Sequence, residues 1–149
     1  MTDEVSPLPS VESILQQLKD KGYRRTPQRE RIVEILWESD EPLTARTLHE
    51  KVKAVFPHVS LDTVYRNLEL LREAGLVSQI NLQSRESARF ELQKEGEHHH
   101  HLVCLGCGDA ICLPTCPVDL DQLCAQHADE FTVTSHAFEL YGYCKDCRN

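Results

Sequence analysis

The chain lacks long apolar runs and an excess of positive charge. Its apolar runs are only a few residues long, far short of the roughly 20 that a transmembrane helix needs. The N-terminal segment Met1–Glu4 is acidic and leads into no apolar stretch, so we expect no secretory signal. We therefore expect a cytoplasmic protein, and its 149 residues suit one domain or two small ones.

The charge that is present is mostly negative and unevenly distributed. Residues 1–84 hold 11 Lys/Arg against 13 Asp/Glu, whereas residues 85–149 hold 5 against 11. The formal net charge of −8 argues against indiscriminate nucleic-acid binding but leaves room for a local basic face. All seven cysteines and six of the eight histidines lie in the second half. In a cytoplasmic protein they indicate metal ligands or reactive thiols rather than disulfides.

Helical periodicity dominates the first half. Apolar residues recur at helical spacing in four segments, which begin at or just after Val11, Thr26, Thr44 and Ser60. The third helix is expected to turn Val55 inward, and Gly75 ends the fourth. Two strands, 76–82 and 88–92, are predicted to follow around a polar turn. This order is typical of a winged helix-turn-helix DNA-binding domain.

The fourth helix has a polar face that suits the major groove. It presents Thr63 and Arg66, with Tyr65 at the border; Arg can bond a guanine edge and Tyr can pack on a thymine methyl. Arginines that can hold phosphates or enter a minor groove cluster near the second helix: Arg24, Arg25, Arg29 and Arg31. The alternative is a solvated face on a small helical bundle.

Two Cys-x-x-Cys pairs, Cys104/Cys107 and Cys144/Cys147, stand 36 residues apart in the second half. Two such pairs are the usual arrangement for a four-thiolate structural zinc, which would contribute folding free energy. The alternative is a redox dithiol in each pair.

A run of four histidines leads into the first cysteine pair. In an extended strand, His99 and His101 point one way while His98 and His100 point the other. The run therefore predicts two metal sites on opposite faces of one strand. The alternative is an exposed polar stretch that binds nothing specific.

Each histidine pair needs further ligands, and periodicity leaves open how four candidates divide between the two sites: Glu91, Cys112, Asp119 and His136. Cys112 lies in a predicted strand at 110–113, and His136 in a predicted strand at 132–141. A helix is expected to start at Asp119, with Cys124 in the core. Cys116 has three open roles: helix cap, spare ligand or oxidisable thiol.

Five stretches of sequence, in order within residues 11–147, form a specific set: Arg25–Arg29, Ser60–Leu68, Gly75–Val77, His98–Gly108 and Glu139–Cys147. They resemble the ferric uptake regulator superfamily of metal-sensing repressors. The resemblance implies an α+β fold, with a winged helix-turn-helix domain at 1–84 whose wing extends to about 92. A small α/β dimerisation domain with the four-cysteine zinc site then occupies 93–149. The resemblance further implies a homodimer on palindromic operator DNA, read by Tyr65 and Arg66.

The resemblance also sorts the remaining ligands. It implies a sensing site at Glu91, His99, His101 and Cys112, and an additional metal site at His98, His100, Asp119 and His136.

Two departures from the iron and peroxide sensors of the family bear on the sensed metal. Those sensors usually supply a histidine where this chain reads Glu41-Pro42, and a carboxylate where it has Cys112. A site with one histidine fewer and a thiolate gained is softer, which favours Zn²⁺ over Fe²⁺ or Mn²⁺. Together with Cys116-Pro117, this is most like the zinc uptake regulator branch, although Glu91 is what an iron sensor would have.

The sequence therefore predicts a zinc-sensing repressor of zinc-uptake genes, with structural and regulatory Zn²⁺ and neither membrane nor small organic partners. The alternative is an iron- or peroxide-responsive regulator that uses Fe²⁺ or Mn²⁺. An enzyme is not expected: a zinc hydrolase with Glu91 or Asp119 as base lacks support, since no His-Glu-x-x-His or deaminase signature is present. A zinc buffer would leave Tyr65 and Arg66 without a purpose.

Overall fold

The computed structural model describes residues 10–93 and 100–148. The chain divides into two compact units, Met1–Glu95 and Gly96–Asn149. The predicted ligands His98 and His99 lie outside the described residues. In the part of the chain that is described, no helix has the length and apolar character needed to cross a membrane.

The first unit contains four helices and a small sheet, as the apolar periodicity predicts. Its elements are α1 (Val11–Asp20), α2 (Pro27–Glu38), β1 (Leu43–Thr44), α3 (Ala45–Lys53), α4 (Leu61–Glu73), β2 (Val77–Ile80) and β3 (Arg89–Leu92). A hydroxyl side chain caps the N-terminus of each helix by accepting a backbone N–H bond: Ser10, Thr26, Thr44 and Ser60. Gly75, with φ of 78°, follows α4 in the left-handed region that favours glycine.

The core of the first unit lies between the helices and the sheet. The sheet order is β1-β3-β2, and both pairings are antiparallel, so β2 and β3 form the predicted wing. Side chains such as Leu18, Ile32 and Leu68 are fully buried. The prediction that Val55 faces inward was wrong: α3 ends at Lys53, and Val55 is 52% exposed.

The second unit is built around a three-stranded mixed sheet. Its elements are β4 (His100–Cys104), β5 (Ala110–Leu113), α5 (Leu120–Cys124), a 3₁₀ turn (Ala125–His127) and β6 (Glu139–Gly142). The central strand β4 pairs antiparallel with β5 and parallel with β6. The strand predicted at 132–141 is shorter, because only Glu139–Gly142 finds a partner.

The second unit has little buried apolar surface of its own. Among its described residues, only His100, Val103 and Cys104 are buried, whereas the large hydrophobic cluster belongs to the first unit. Cys124 is only half-buried beside the exposed Leu123, so its predicted place in a core was wrong. A unit this small that buries so little needs another source of stability, such as bound metal or a partner surface.

Candidate metal centres and DNA-reading surface

The four predicted zinc cysteines converge at one end of the central sheet. Cys104 is the last residue of β4, where it pairs with Gly142 at the end of β6, and Cys144 follows two residues later. Their sulfurs and those of Cys107 and Cys147 all lie within 4.8 Å of one another. Gly106 is required in the first turn, because a Cβ there would lie 2.9 Å from Cys147 Cβ and Sγ. Four convergent thiols are the donor set of a tetrahedral structural zinc.

Backbone N–H groups favour the charged form of one of these thiols. The N–H of Cys144 donates to Cys104 Sγ at 3.4 Å. That contact, with further N–H groups of the first turn, lowers the pKa of Cys104 to about 6. Bonds from the neighbouring thiols Cys144 and Cys104 raise the pKa of Cys147 to about 12. Zinc binds thiolates, so these backbone N–H groups prepare Cys104 to bind the metal.

One face of β4 gathers a second cluster of donor atoms. His100 Nε2 lies 3.1 Å from His136 Nε2 and 3.2 Å from Cys116 Sγ, and Cys116 Sγ lies 3.3 Å from His136 Nε2. Two of the residues predicted for the additional metal site, His100 and His136, therefore meet. Asp119 is instead seen as the N-cap of α5, where its Oδ1 accepts a bond from the Gln122 N–H at 3.2 Å.

The opposite face of β4 carries His101. It stands directly across from Cys112 in the antiparallel pairing with β5, and beside Glu139 in the parallel pairing with β6. The Tyr141 hydroxyl donates to the Glu139 carboxylate at 2.6 Å, and burial together with this carboxylate raises the pKa of Tyr141 to about 12. The structure thus brings together two predicted sensing residues, His101 and Cys112. Glu91 belongs to the wing strand β3 of the first unit, where it pairs with Ser78.

The predicted reading face of α4 is open to solvent. The side chain of Arg66 is 81% exposed and pairs with Asp62 at 3.0 Å, one helical turn earlier. Thr63 lies at the N-terminus of the helix, where its backbone N–H donates to Ser60 Oγ. Such exposed pairs contribute little to stability, so Arg66 can exchange Asp62 for a base edge at small cost.

The wing supplies a contact that the sequence reasoning missed. The guanidinium of Arg85, in the turn between β2 and β3, lies 4.0 Å from the centre of the Tyr65 ring. The Tyr65 hydroxyl lies 3.4 Å from the Arg85 carbonyl oxygen. This cation–π contact places a basic side chain of the wing next to the reading helix. The sequence feature that could have indicated this contact is the single arginine in the polar turn of the wing.

The arginines just before α2 and in its first turn differ in their hydrogen-bond partners. Arg25 bonds Glu12 and Glu30, each at 2.8 Å, and the bond from Arg25 lowers the pKa of the Glu12 carboxyl. Arg29 bonds the Asn67 side chain at 3.0 Å. Arg24 is exposed. The charge of Arg25 is therefore offset within the unit, and Arg24 is better placed to meet a phosphate.

A winged helix-turn-helix unit joined to a unit rich in metal ligands defines the class of metal-responsive DNA-binding regulators. Comparison with known proteins agrees: residues 20–141 match the ferric uptake regulator family. The peroxide-responsive repressor PerR of Staphylococcus saprophyticus is 32% identical over 139 residues, which cover 93% of this chain and 92% of that protein.

Solved structures show the same architecture. The ferric uptake regulator of Helicobacter pylori, described as having three functional metal binding sites, matches with a TM-score of 0.70 at 26% identity, covering 94% of this chain and 95% of that one. The Vibrio cholerae regulator Fur matches with a TM-score of 0.62 at 32% identity, covering 87% and 98%. This chain belongs to the ferric uptake regulator family. It is a metal-responsive, DNA-binding transcriptional regulator rather than an enzyme.

Proposed function

We propose that the protein is a zinc-responsive repressor of zinc-uptake genes, with its sensing metal held by Glu91, His99, His101 and Cys112. The observation that supports zinc is the position of Cys112 directly across from His101 on the β4–β5 ladder. Side chains of directly opposed residues project from the same face with Cβ atoms about 5 Å apart, close enough to share one metal ion.

The donor set favours zinc over harder metals. A thiolate and imidazoles suit Zn²⁺ better than Fe²⁺ or Mn²⁺. The iron and peroxide sensors that this chain resembles usually have a carboxylate at the position of Cys112. Zinc supplies no redox chemistry, so its role here is to hold ligands in a fixed arrangement.

Regulation follows from the division of the sensing ligands between the two units. Glu91 belongs to the first unit, and His101 and Cys112 belong to the second. A metal that binds all of them restricts how the DNA-binding unit moves relative to the rest of the chain. Binding then shifts the population toward the DNA-competent arrangement by a coupling free energy of about 1–3 kcal/mol.

We also infer that the protein binds a palindromic operator as a homodimer. Large apolar side chains are exposed on the second unit: Ile111, Leu123, Phe131 and Leu140. Exposed apolar surface of this kind is typical of a subunit interface. A twofold dimer presents two α4 helices, which suits half-sites about one turn of DNA apart.

The alternative is an iron- or peroxide-responsive regulator, with Fe²⁺ or Mn²⁺ as the regulatory metal. Two observations favour it: the carboxylate ligand Glu91, and the 32% identity to the peroxide-responsive repressor PerR.

Selection of bound sequences from a random DNA pool tests the proposal. Protein that keeps its structural zinc but is otherwise stripped of metal is incubated with the pool, with and without added Zn²⁺. We expect a palindromic sequence to be enriched only when zinc is added. Equal enrichment of the same sequence without zinc would overturn the regulatory mechanism.

A further inference from the structure

Cys116 belongs to none of the three ligand sets predicted from the sequence, yet its thiol contacts two imidazoles. Its Sγ lies 3.2 Å from His100 Nε2 and 3.3 Å from His136 Nε2, and the two Nε2 atoms are 3.1 Å apart. The three residues come from β4, from the loop after β5 and from the loop before β6. The fold, and not proximity along the chain, brings these three donor atoms together.

The His100 ring is held in the tautomer that a metal requires. Its Nδ1 lies 3.1 Å from the Phe138 carbonyl oxygen. A carbonyl oxygen can only accept, so Nδ1 carries the proton and Nε2 of the neutral ring offers its lone pair to Cys116 and His136. A backbone carbonyl that fixes the remote nitrogen in this way is the usual support of a metal-binding histidine. The ring is 4% exposed and packs edge-on against Phe138, which holds its orientation.

We propose that Cys116 completes the additional metal site with His100 and His136, so that this third site has two imidazoles and one thiolate and prefers Zn²⁺. Zn–N bonds of about 2.0–2.1 Å and Zn–S bonds of about 2.3 Å place tetrahedral ligand atoms about 3.3–3.6 Å apart. The observed separations of 3.1 to 3.3 Å are close to these values, so the three side chains need only small shifts to coordinate. A thiolate in the set disfavours Fe²⁺ and Mn²⁺.

Cys116 takes the place in this site that the resemblance gives to Asp119. The Asp119 carboxylate caps α5 through Oδ1. Asparagine is as good an N-cap as aspartate, so Asp119→Asn removes the charge and preserves the cap. This substitution is therefore a matched control for Cys116→Ser.

The third site lies on the face of β4 opposite His101 and Cys112, so it is separate from the proposed sensing site. It does not depend on which metal the Cys112 site senses. The two sites share a strand, but each has its own thiol, and each thiol can be removed by a single substitution.

Cobalt substitution tests the inference. Protein that retains zinc in its four-cysteine site is stripped of other metal and titrated with Co²⁺. A thiolate bound to Co²⁺ adds a near-ultraviolet charge-transfer absorption that imidazoles and carboxylates do not give. We expect this absorption to fall in Cys116→Ser by the contribution of one thiolate. In Asp119→Asn the absorption should be unchanged. Cys112→Ser reports separately on the sensing site.

Two outcomes would overturn the inference. The first is a near-ultraviolet absorption of the Co²⁺-loaded protein that is unchanged in Cys116→Ser. The second is that Asp119→Asn binds fewer Co²⁺ ions per chain while its Cys116 is still alkylated. Cys116→Asp provides a check on folding, since it should keep the cobalt stoichiometry and lose the thiolate absorption. In the wild type, bound Co²⁺ should protect Cys116 from iodoacetamide, as read by mass spectrometry. If DNA binding proves independent of metal while this protection persists, the proposed function fails and the third site stands.

Discussion

His101 and Cys112 face each other across the antiparallel ladder of β4 and β5, while the preceding residue, His100, lies on the other face of the sheet against Cys116 and His136. Strand alternation thus places neighbouring histidines on opposite faces of the sheet. The His101–Cys112 pair puts a sulfur donor into the site that we propose as the sensor.

Replacing Cys112 with serine should lower zinc sensitivity without unfolding the protein. The thiol is exposed on an outer strand, so the loss concerns a ligand and not a core contact. We expect the zinc concentration at half-maximal operator binding to rise at least about tenfold, which corresponds to about 1.4 kcal/mol. Fluorescence anisotropy with labelled operator measures it. Cys124→Ser is the matched control, and a global loss of helicity in Cys112→Ser would assign Cys112 a structural role instead.

Replacing Arg66 with alanine should relax sequence discrimination. The side chain is exposed on α4, and its ion pair with Asp62 stabilises the fold only weakly. Loss of a bidentate base contact should cost about 1–3 kcal/mol for the cognate base pair and little for mismatched ones. Competition with single-position operator variants measures this difference. A uniform loss across all variants would make Arg66 a phosphate contact.

Replacing Arg85 with alanine should weaken binding to all DNA sequences equally, unlike the sequence-dependent effect expected for Arg66→Ala. The guanidinium of Arg85 stacks on Tyr65 and lies beside the reading helix, where the DNA backbone or a minor groove is its natural partner. Removing one phosphate contact should weaken binding to all sequences and reduce the salt slope by about one. Titrations at several salt concentrations measure the slope. An unchanged slope would limit Arg85 to packing against Tyr65.

Zinc binding to the four-cysteine site should release more protons at acidic pH than near neutral pH. The pKa of Cys104 is lowered to about 6, so this thiol is charged above that value and takes up a proton below it. Zinc must displace that proton, and binding weakens as the pH falls. The first zinc equivalent should therefore release about one more proton at pH 5 than at pH 7.5 through this group. Calorimetry in buffers of different ionisation enthalpy counts the protons, and equal counts would contradict a lowered pKa.

Much of the first unit could be predicted because its signals are local. Cap residues such as Ser60 and apolar spacing determine where helices begin and which side faces inward. The failure at Val55 is equally local: the spacing continues past Lys53, but the helix does not.

The second unit was harder to predict because its contacts join distant segments. Alternation along β4 correctly separated His100 from His101. Nothing in the sequence around Cys116 showed that its loop would bring the thiol against His136, 20 residues away. Alternating polarity before Glu139 also suggested a longer strand than the parallel pairing with β4 supports.

A metal-by-metal operator titration tests the central claim most directly. Protein that retains only its structural zinc is titrated with Zn²⁺, Fe²⁺ and Mn²⁺ in parallel, under anaerobic metal buffering, with labelled operator DNA. The account predicts that Zn²⁺ restores specific binding at a much lower free concentration than the other two ions. Operator binding that responds first to Fe²⁺ or Mn²⁺ would contradict zinc sensing. Equally tight operator binding before any metal is added would contradict metal control altogether.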